Sequence, residues 1–207
     1  MTWSKTPEAQ KLLTPDQAIE MLKEGNRRFV NNQLTDKDLA AQVKHGANGQ
    51  YPFAVILGCI DSRVPAEIVF DQGIGDIFNV RIAGNIINND ILGSIEYGCK
   101  VAGSKLVLVL GHTSCGAVKG AVQQVDLGHI TELLSKVIPA INSITDPKPD
   151  SEDQLGPYVN KVAEINVHNS IKDIHERSSI LKELEDEDTI KIIGALYDVK
   201  TGIVNFL

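Results

Sequence analysis

The sequence predicts an α/β fold with a mostly parallel four-stranded sheet in the order 2-1-3-4, an antiparallel strand at its C-terminal edge, helices on both faces and an N-terminal helical arm. Three observations predict it. Residues 53–58 (FAVILG) and 105–110 (KLVLVL) are apolar without alternation apart from Lys105, which is typical of strands covered on both faces. Such runs alternate with helical patterns, which favours right-handed crossovers between parallel strands. The 207 residues suit one well-cored domain, 1–207.

The predicted elements begin with helices. The first dozen residues are polar, and we expect a mobile arm there. Thr14 can then cap a helix, Pro15 suits its first position, and Gln17 can close a capping box. Apolar residues spaced along 39–43 indicate a second short helix before the first strand.

Strands and helices then alternate towards the C-terminus. Besides the two strands above, we predict, in order, a short helix at 65–71, a strand at 76–82, a helix at 88–101, helices at 116–125 and 130–144, a surface loop at 146–157, helical structure at 158–187 with a break near 178, a strand at 189–199, a hairpin turn at 200–202 and an edge strand at 203–207.

Charge and composition exclude several classes of protein. The net charge is −7, which argues against non-specific nucleic-acid binding. No apolar run approaches the roughly 18 residues of a membrane span, and the N-terminus lacks the apolar region of a secretory signal. We therefore expect a cytoplasmic protein without a membrane partner. Three cysteines in such a chain indicate metal binding or free thiols rather than disulfides.

Two short stretches at predicted strand ends contain a metal-ligand set. Cys59 follows the first strand, and His112 and Cys115 follow the third. In the order 2-1-3-4 these strands are neighbours where the strand order reverses, which is where such sheets bind ligands. Two thiolates and one imidazole select Zn²⁺ and leave its fourth position open. Cys99 lies on a helix face without a partner at ligand spacing, which indicates a packed free thiol.

A carboxylate and a guanidinium follow the first ligand. Two thiolates cancel the charge of the metal, so such a zinc ion acidifies its water less than a three-histidine site does. Asp61 is placed to accept a hydrogen bond from the zinc-bound hydroxide and orient it. Arg63 is placed to hold Asp61 in a bidentate pair, which keeps the carboxylate ionised and off the metal.

These residues resemble a known family. Segment 58–67 (GCIDSRVPAE), paired with 111–116 (GHTSCG), is similar to the motifs of β-class carbonic anhydrases. The resemblance implies a zinc lyase that reversibly hydrates CO2 to bicarbonate and a proton, by attack of zinc-bound hydroxide. It implies Cys59, His112 and Cys115 as zinc ligands, with Asp61 and Arg63 as the catalytic pair.

The same resemblance implies a narrow apolar substrate pocket shared between subunits. Its lining would comprise Gln50, Phe78, Ala83, Tyr97 and the amide of Gly116. The active unit would be a homodimer or a homotetramer, with the N-terminal segment 1–35 packed on the partner subunit. Ile56 occupies the position of a tryptophan found in members that close at low pH, so we expect an open site.

Two other functions remain open on the sequence. The same zinc site could hydrolyse carbonyl sulfide or carbon disulfide, which are also small, linear and apolar. A non-catalytic zinc- or bicarbonate-binding protein is the other alternative, and loss of Asp61 or Arg63 would have supported it. The absence of C-x-x-C and of G-x-G-x-x-G after the first strand counts against a thiol oxidoreductase and a dinucleotide-binding protein.

Overall fold

A five-stranded sheet in the order β2-β1-β3-β4-β5 forms the centre of the computed structural model, which describes residues 6–149 and 151–207. The first four strands are parallel, and β5 pairs antiparallel with β4. The fold class, the strand order and the antiparallel edge predicted from the sequence are thereby confirmed. The strands are β1 Ala54–Gly58, β2 Ile77–Arg81, β3 Leu106–His112, β4 Lys191–Tyr197 and β5 Val204–Phe206.

The two central strands explain why the sheet is covered on both faces. Every residue of β1 and of β3 is buried. Side chains alternate between the faces, so Ile56 packs in the core on one face and Val55 and Leu57 pack in the core on the other. Uninterrupted apolar sequence is therefore what these positions require.

Helices cover both faces of the sheet. Among them, within the described residues, none combines the length and apolar character needed to cross a membrane. A 3-10 turn at Ala83–Asn85 follows β2, and a π-helical turn at Tyr97–Val101 continues α5. The α-helices are α1 Pro7–Leu12, α2 Pro15–Val30, α3 Leu39–Gly46, α4 Ala66–Val69, α5 Asn89–Glu96, α6 Gly116–Val122, α7 Gly128–Ser135, α8 Ile138–Asn142, α9 Glu152–Arg177 and α10 Ser179–Asp186.

The N-terminal segment is more ordered than its composition indicates. The prediction of a mobile arm is wrong for residues 7–12, which form α1 with Thr6 as its N-cap. Gln10 is buried, and its Nε2 donates to the carbonyls of Pro52 and Ala102, each at 2.8 Å. These contacts cross 42 and 92 residues of sequence, so local composition gives no sign of them. Residues 1–5 lie outside the described part of the chain.

Helix α2 confirms its predicted capping box, since Thr14 accepts from the amide of Gln17 and the Gln17 side chain accepts from the amide of Thr14. Its apolar face packs in the core of its own chain through Ala18, Met21 and Leu22. That face is therefore not left open to a neighbouring subunit. Packing of 1–35 on a partner stays a prediction for the outer surface of the segment.

Several helix boundaries differ from the prediction, and a proline lies near two of the larger differences. The helix expected at 130–144 is two helices, α7 and α8, because Pro139 lacks the amide hydrogen that a continuous helix needs. The loop expected at 146–157 ends early, because α9 begins at Glu152 and contains Pro157. Pro157 lies in the second turn of α9, where its missing amide hydrogen removes one helical hydrogen bond. The helix expected at 88–101 is α5, capped by Asn88, and the π-helical turn that continues it.

Helix α9 lies unusually close to the sheet because two strand positions lack side chains. A Cβ atom at Gly111 would stand 2.6 Å from one γ-carbon of Val167, and a Cβ at Gly194 would stand 2.6 Å from the other. Val167 therefore fits into the gap between β3 and β4. This contact fixes α9 against the end of the sheet that carries His112.

Asp71 is a buried carboxylate that joins the segment after α2 to the turn after α4. It accepts hydrogen bonds from Arg28, Lys37 and the backbone amide of Thr35. Burial raises the pKa of Asp71, but the hydrogen bonds and positive charges around it outweigh burial, so its pKa is lowered. The folded state therefore favours the ionised form.

The substitution Asp71→Asn is expected to lower the free energy of unfolding by about 2–3 kcal/mol near neutral pH, because Arg28 and Lys37 lose their counter-charge. Asparagine tolerates the positive φ of 50° at this position, so the loss of stability arises from the removed charge and not from backbone strain. With a depressed folded-state pKa, the contribution is present above roughly pH 4 and disappears as the pH falls through the folded-state value. Urea unfolding near pH 7 and pH 3 checks this, and an equal difference between the proteins at both would contradict it.

Candidate metal centre

The two cysteines and the histidine predicted as ligands converge at one edge of the sheet. Gly58, the last residue of β1, pairs with Leu110 of β3, so Cys59 and His112 emerge side by side. Cys115 follows as the residue preceding α6. One ligand atom from each of the three lies within 4.8 Å of the other two. All three side chains are buried, and His112 is fully so.

The histidine ring is oriented for metal binding. Its Nδ1 lies 2.9 Å from the carbonyl oxygen of Thr113, a contact that assigns the proton to Nδ1. Its Nε2 is buried and has no hydrogen-bond partner among the described residues. Burying a nitrogen lone pair that accepts no hydrogen bond costs free energy, unless the lone pair binds a ligand such as a metal ion. The donor set of two thiols and this nitrogen therefore fits a zinc ion.

Each of the two thiols changes the pKa of the other. Their sulfur atoms are 4.0 Å apart. The hydrogen bond from Cys115 is the largest cause that lowers the pKa of Cys59, to about 4, against the effect of burial. The same interaction and burial raise the pKa of Cys115, although the amides of Ala117 and Val118 at the start of α6 act in the opposite direction.

Asp61 and Arg63 form the bidentate pair expected beside the ligands. Arg63 Nε donates to Asp61 Oδ1 at 2.9 Å, and Nη2 donates to Oδ2 at 2.8 Å. The backbone amide of Arg63 also donates to Oδ1 at 2.9 Å. The Arg63 hydrogen bond is the main cause that lowers the pKa of Asp61 to about 2. Asp61 Oδ2 lies 3.9 Å from His112 Nε2, so an ionised carboxylate stands next to the ligand position.

Backbone contacts hold the loop that carries Cys59 and Asp61. Arg81, at the end of β2, donates from Nε to the carbonyl of Cys59 at 2.9 Å and from Nη2 to the carbonyl of Asp61 at 2.6 Å. The amide of Gly84 donates to Cys59 Sγ at 3.3 Å. The sequence motifs predict no role for Arg81 or for Gly84. A glycine among larger residues just beyond a strand was the one available signal.

The turn between His112 and Cys115 is held from two sides. Ser114 has a positive φ of 56°, which bends the chain so that both ligands face the same space. Its amide donates to Asn160 Oδ1 at 2.8 Å, and its carbonyl accepts from Arg63 Nη2 at 3.3 Å. Arg63 thereby links the two ligand stretches. The role of Asn160 had no signal in the sequence.

The residues predicted to line the substrate pocket fall into two groups. Ala83 directly precedes Gly84, and Gly116 is exposed beside Cys115 with open space where a Cβ would stand. Both lie next to the ligands. Gln50 is exposed before β1 begins, which is the opposite end of that strand from Cys59.

The aromatic members of the predicted lining, half-buried Phe78 and exposed Tyr97, lie along a surface groove. Phe78 and Tyr97 meet edge to face with ring centroids 6.4 Å apart, in a surface groove of about 590 Å³ beside the edge strand β2. Phe78 is paired with Val55, three residues before the pair that contains Arg81, or roughly 10 Å along the strand. Tyr97 is 54% exposed. This chain alone does not bring Phe78 and Tyr97 to its own metal centre.

Cys99 lies apart from the ligands, in the core on the opposite side of β1 from α2. It is a buried free thiol, as expected from its isolated position. Burial raises its pKa to about 12, so the thiol stays protonated at neutral pH. Its burial among aliphatic side chains explains this behaviour.

Comparison with known proteins agrees with this geometry. The family model described as carbonic anhydrase matches residues 54–204. Carbonic anhydrase 2 of Mycobacterium tuberculosis (strain CDC 1551 / Oshkosh) is 38% identical over 194 residues, covering 91% of this chain and 90% of that protein. The matched region contains the metal-ligand stretches and the Asp61–Arg63 pair.

Two solved structures share the fold. The β-carbonic anhydrase CafA of Aspergillus fumigatus is similar with a TM-score of 0.71 at 24% identity, covering 93% of this chain and 89% of that one. One of two tetrameric β-carbonic anhydrases of Sordaria macrospora has a TM-score of 0.69 at 24% identity, covering 80% and 85%. The chain belongs to the carbonic anhydrase family. It shares the fold of these two β-carbonic anhydrases, which is the fold that its motifs predict.

Proposed function

We propose that the chain reversibly hydrates CO2 to bicarbonate and a proton at a zinc ion held by Cys59, His112 and Cys115. The observation that carries the proposal is the buried, unpartnered Nε2 of His112, which faces two thiols beside an ionised carboxylate. Zinc, when bound, supplies the Lewis acid that makes water nucleophilic near neutral pH. The family to which the chain belongs supports the same reaction.

Asp61 orients the attacking water and does not store its proton. Oδ1 accepts two hydrogen bonds from Arg63, whereas Oδ2 accepts one. Oδ2 can therefore accept a further hydrogen bond on the side that faces His112. A pKa of about 2 makes the carboxylate a poor proton store and a good hydrogen-bond acceptor at neutral pH. Arg63 holds it in this orientation and keeps it from binding the metal itself. The released proton then passes to buffer.

We further propose that the substrate pocket is completed by a second copy of this chain. Ala83 and the amide of Gly116 would contribute from one copy, and Gln50, Phe78 and Tyr97 from the other. Exposure of Tyr97 and of Gln50 supports this, as does the tetrameric Sordaria macrospora enzyme. Light scattering of the purified protein should give two or four times the chain mass of 22.5 kDa, and a monomer would contradict it.

The three free thiols support a cytoplasmic location, because a dithiolate metal site needs its cysteines reduced. Recovery of the native protein in the cytosolic fraction tests this. Recovery in a secreted fraction would contradict it.

Stopped-flow CO2 hydration by the zinc-loaded protein tests the proposed reaction. We expect turnover that increases with pH as water loses its proton. Absence of turnover above about pH 8 with zinc fully bound would contradict the proposal, since the nucleophile forms under those conditions. The same sample is then assayed with carbonyl sulfide and with carbon disulfide. Turnover of these compounds without turnover of CO2 would favour the alternative hydrolase. The intact Asp61–Arg63 pair counts against a non-catalytic protein.

A further inference from the structure

Asn166 is a buried polar residue on α9 with no part in the proposed reaction. It is 2% exposed, and its Nδ2 donates to the carbonyl of Gly84 at 2.8 Å. Ser170, one turn further along the helix, donates from Oγ to the carbonyl of Asn85 at 3.0 Å. Helix α9 therefore binds two successive carbonyls of the turn that follows β2.

Gly84 connects this contact to the metal centre. Its amide donates to Cys59 Sγ at 3.3 Å, while its carbonyl accepts from Asn166. Gly84 has a φ of 70°, in the left-handed region that favours glycine. The turn closes through a bond of 2.9 Å from the amide of Asn85 to the carbonyl of Ile82. Because Gly84 has no side chain to pack, its orientation depends on these hydrogen bonds.

We propose that Asn166 is a positioning residue for the metal centre, which holds the Gly84 carbonyl so that the Gly84 amide points at Cys59 Sγ. A hydrogen bond to a ligating sulfur withdraws electron density and sets how strongly the thiolate donates to the metal. Contacts of this kind typically change metal affinity by about 10- to 100-fold. The inference rests on the proposed metal centre.

The position of α9 supports a role beyond packing. Val167, the neighbour of Asn166, sits in the gap left by Gly111 and Gly194, which fixes the helix against β3 and β4. The side-chain amide of Asn166 is therefore held next to Gly84 by a helix whose position is fixed. Ser170 provides a matched control, because it makes a bond of the same kind to Asn85, and Asn85 contributes no hydrogen bond to a ligand atom among the described residues.

Cobalt(II) substitution tests the proposal, because sulfur-to-cobalt charge-transfer absorption reports thiolate donation directly. In Asn166→Ala we expect the band to move to longer wavelength, because the sulfur regains electron density. We expect cobalt affinity measured by chelator competition to fall about 10-fold, because the turn at Gly84 no longer holds Cys59 in the binding position. In Ser170→Ala we expect a comparable loss of stability, with the parental band and an affinity within about twofold of the parent's.

A parental band and an affinity within about twofold of the parent's in Asn166→Ala would overturn the proposal. If that variant does not fold, Asn166→Leu replaces it, since leucine has the same number and branching of side-chain heavy atoms and no donor. A shift of equal size in Ser170→Ala would also overturn it, because the effect would then be one of general packing. If the parent protein itself gives no charge-transfer band with cobalt, the proposed metal centre fails, which is a distinguishable result.

Discussion

The substitution Cys115→Ala is expected to abolish zinc binding and, with it, CO2 hydration. The remaining Cys59 and His112 offer two ligands where a catalytic zinc ion requires three. We expect the zinc content of the purified variant to fall from about one ion per chain to below about one tenth, and kcat/KM for CO2 to fall by at least about 10³-fold. Atomic absorption and stopped-flow assays measure the two quantities.

Cys99→Ala is the matched control for this result. Cys99 is also a buried free thiol, but it packs in the core away from the ligands. Its replacement should cost about 1 kcal/mol of stability through the small cavity that it leaves, while zinc content and turnover stay at parental values. Loss of zinc from Cys99→Ala, or its retention in Cys115→Ala, would show that the ligand assignment is wrong.

Asp61→Asn is expected to keep zinc and lose turnover. The amide is nearly isosteric with the carboxylate, but it is neutral and presents a donor where the water requires an acceptor. Removal of one preorganised group of this kind typically costs about 10²- to 10³-fold in kcat, and we expect a loss in that range with a zinc content of about one. Stopped-flow CO2 hydration on samples matched for zinc content measures it.

Asp146→Asn controls for the loss of a carboxylate–cation pair as such. Asp146 and Lys161 lie 3.0 Å apart with side chains 71% and 54% exposed, an arrangement that contributes little to stability. Turnover should be parental in this variant. An Asp61→Asn enzyme as fast as the parent would remove Asp61 from the mechanism while leaving the metal centre in place.

The sequence predicts the sheet and the ligand set because both follow from local patterns. Strands covered on both faces must be apolar throughout, and parallel neighbours end at the same edge of a sheet. Cys59 directly follows one such strand, and His112 ends another. The strand order alone therefore brings the two residues together. The pairing of Asp61 with Arg63 is equally local, since the two residues are two positions apart.

Contacts that cross the chain were not predictable. Gln10, Asn160 and Asn166 are polar residues in helices, and each finds its partner more than 40 residues away. Such bonds depend on how the helices pack, which composition does not encode. The lining expected from Gln50 and Tyr97 is of a different kind, because both residues are exposed on the surface of this chain and their place in a pocket shared with a second copy stays a proposal.

We expect one zinc ion at Cys59, His112 and Cys115 to make this protein an active carbonic anhydrase. Titration of the metal-free protein with zinc, followed by stopped-flow CO2 hydration at each addition, tests it most directly. The rate should rise linearly and stop rising at about one zinc ion per chain, since the chain has a single such ligand set among its described residues. Full zinc binding with no gain in CO2 hydration would contradict the claim.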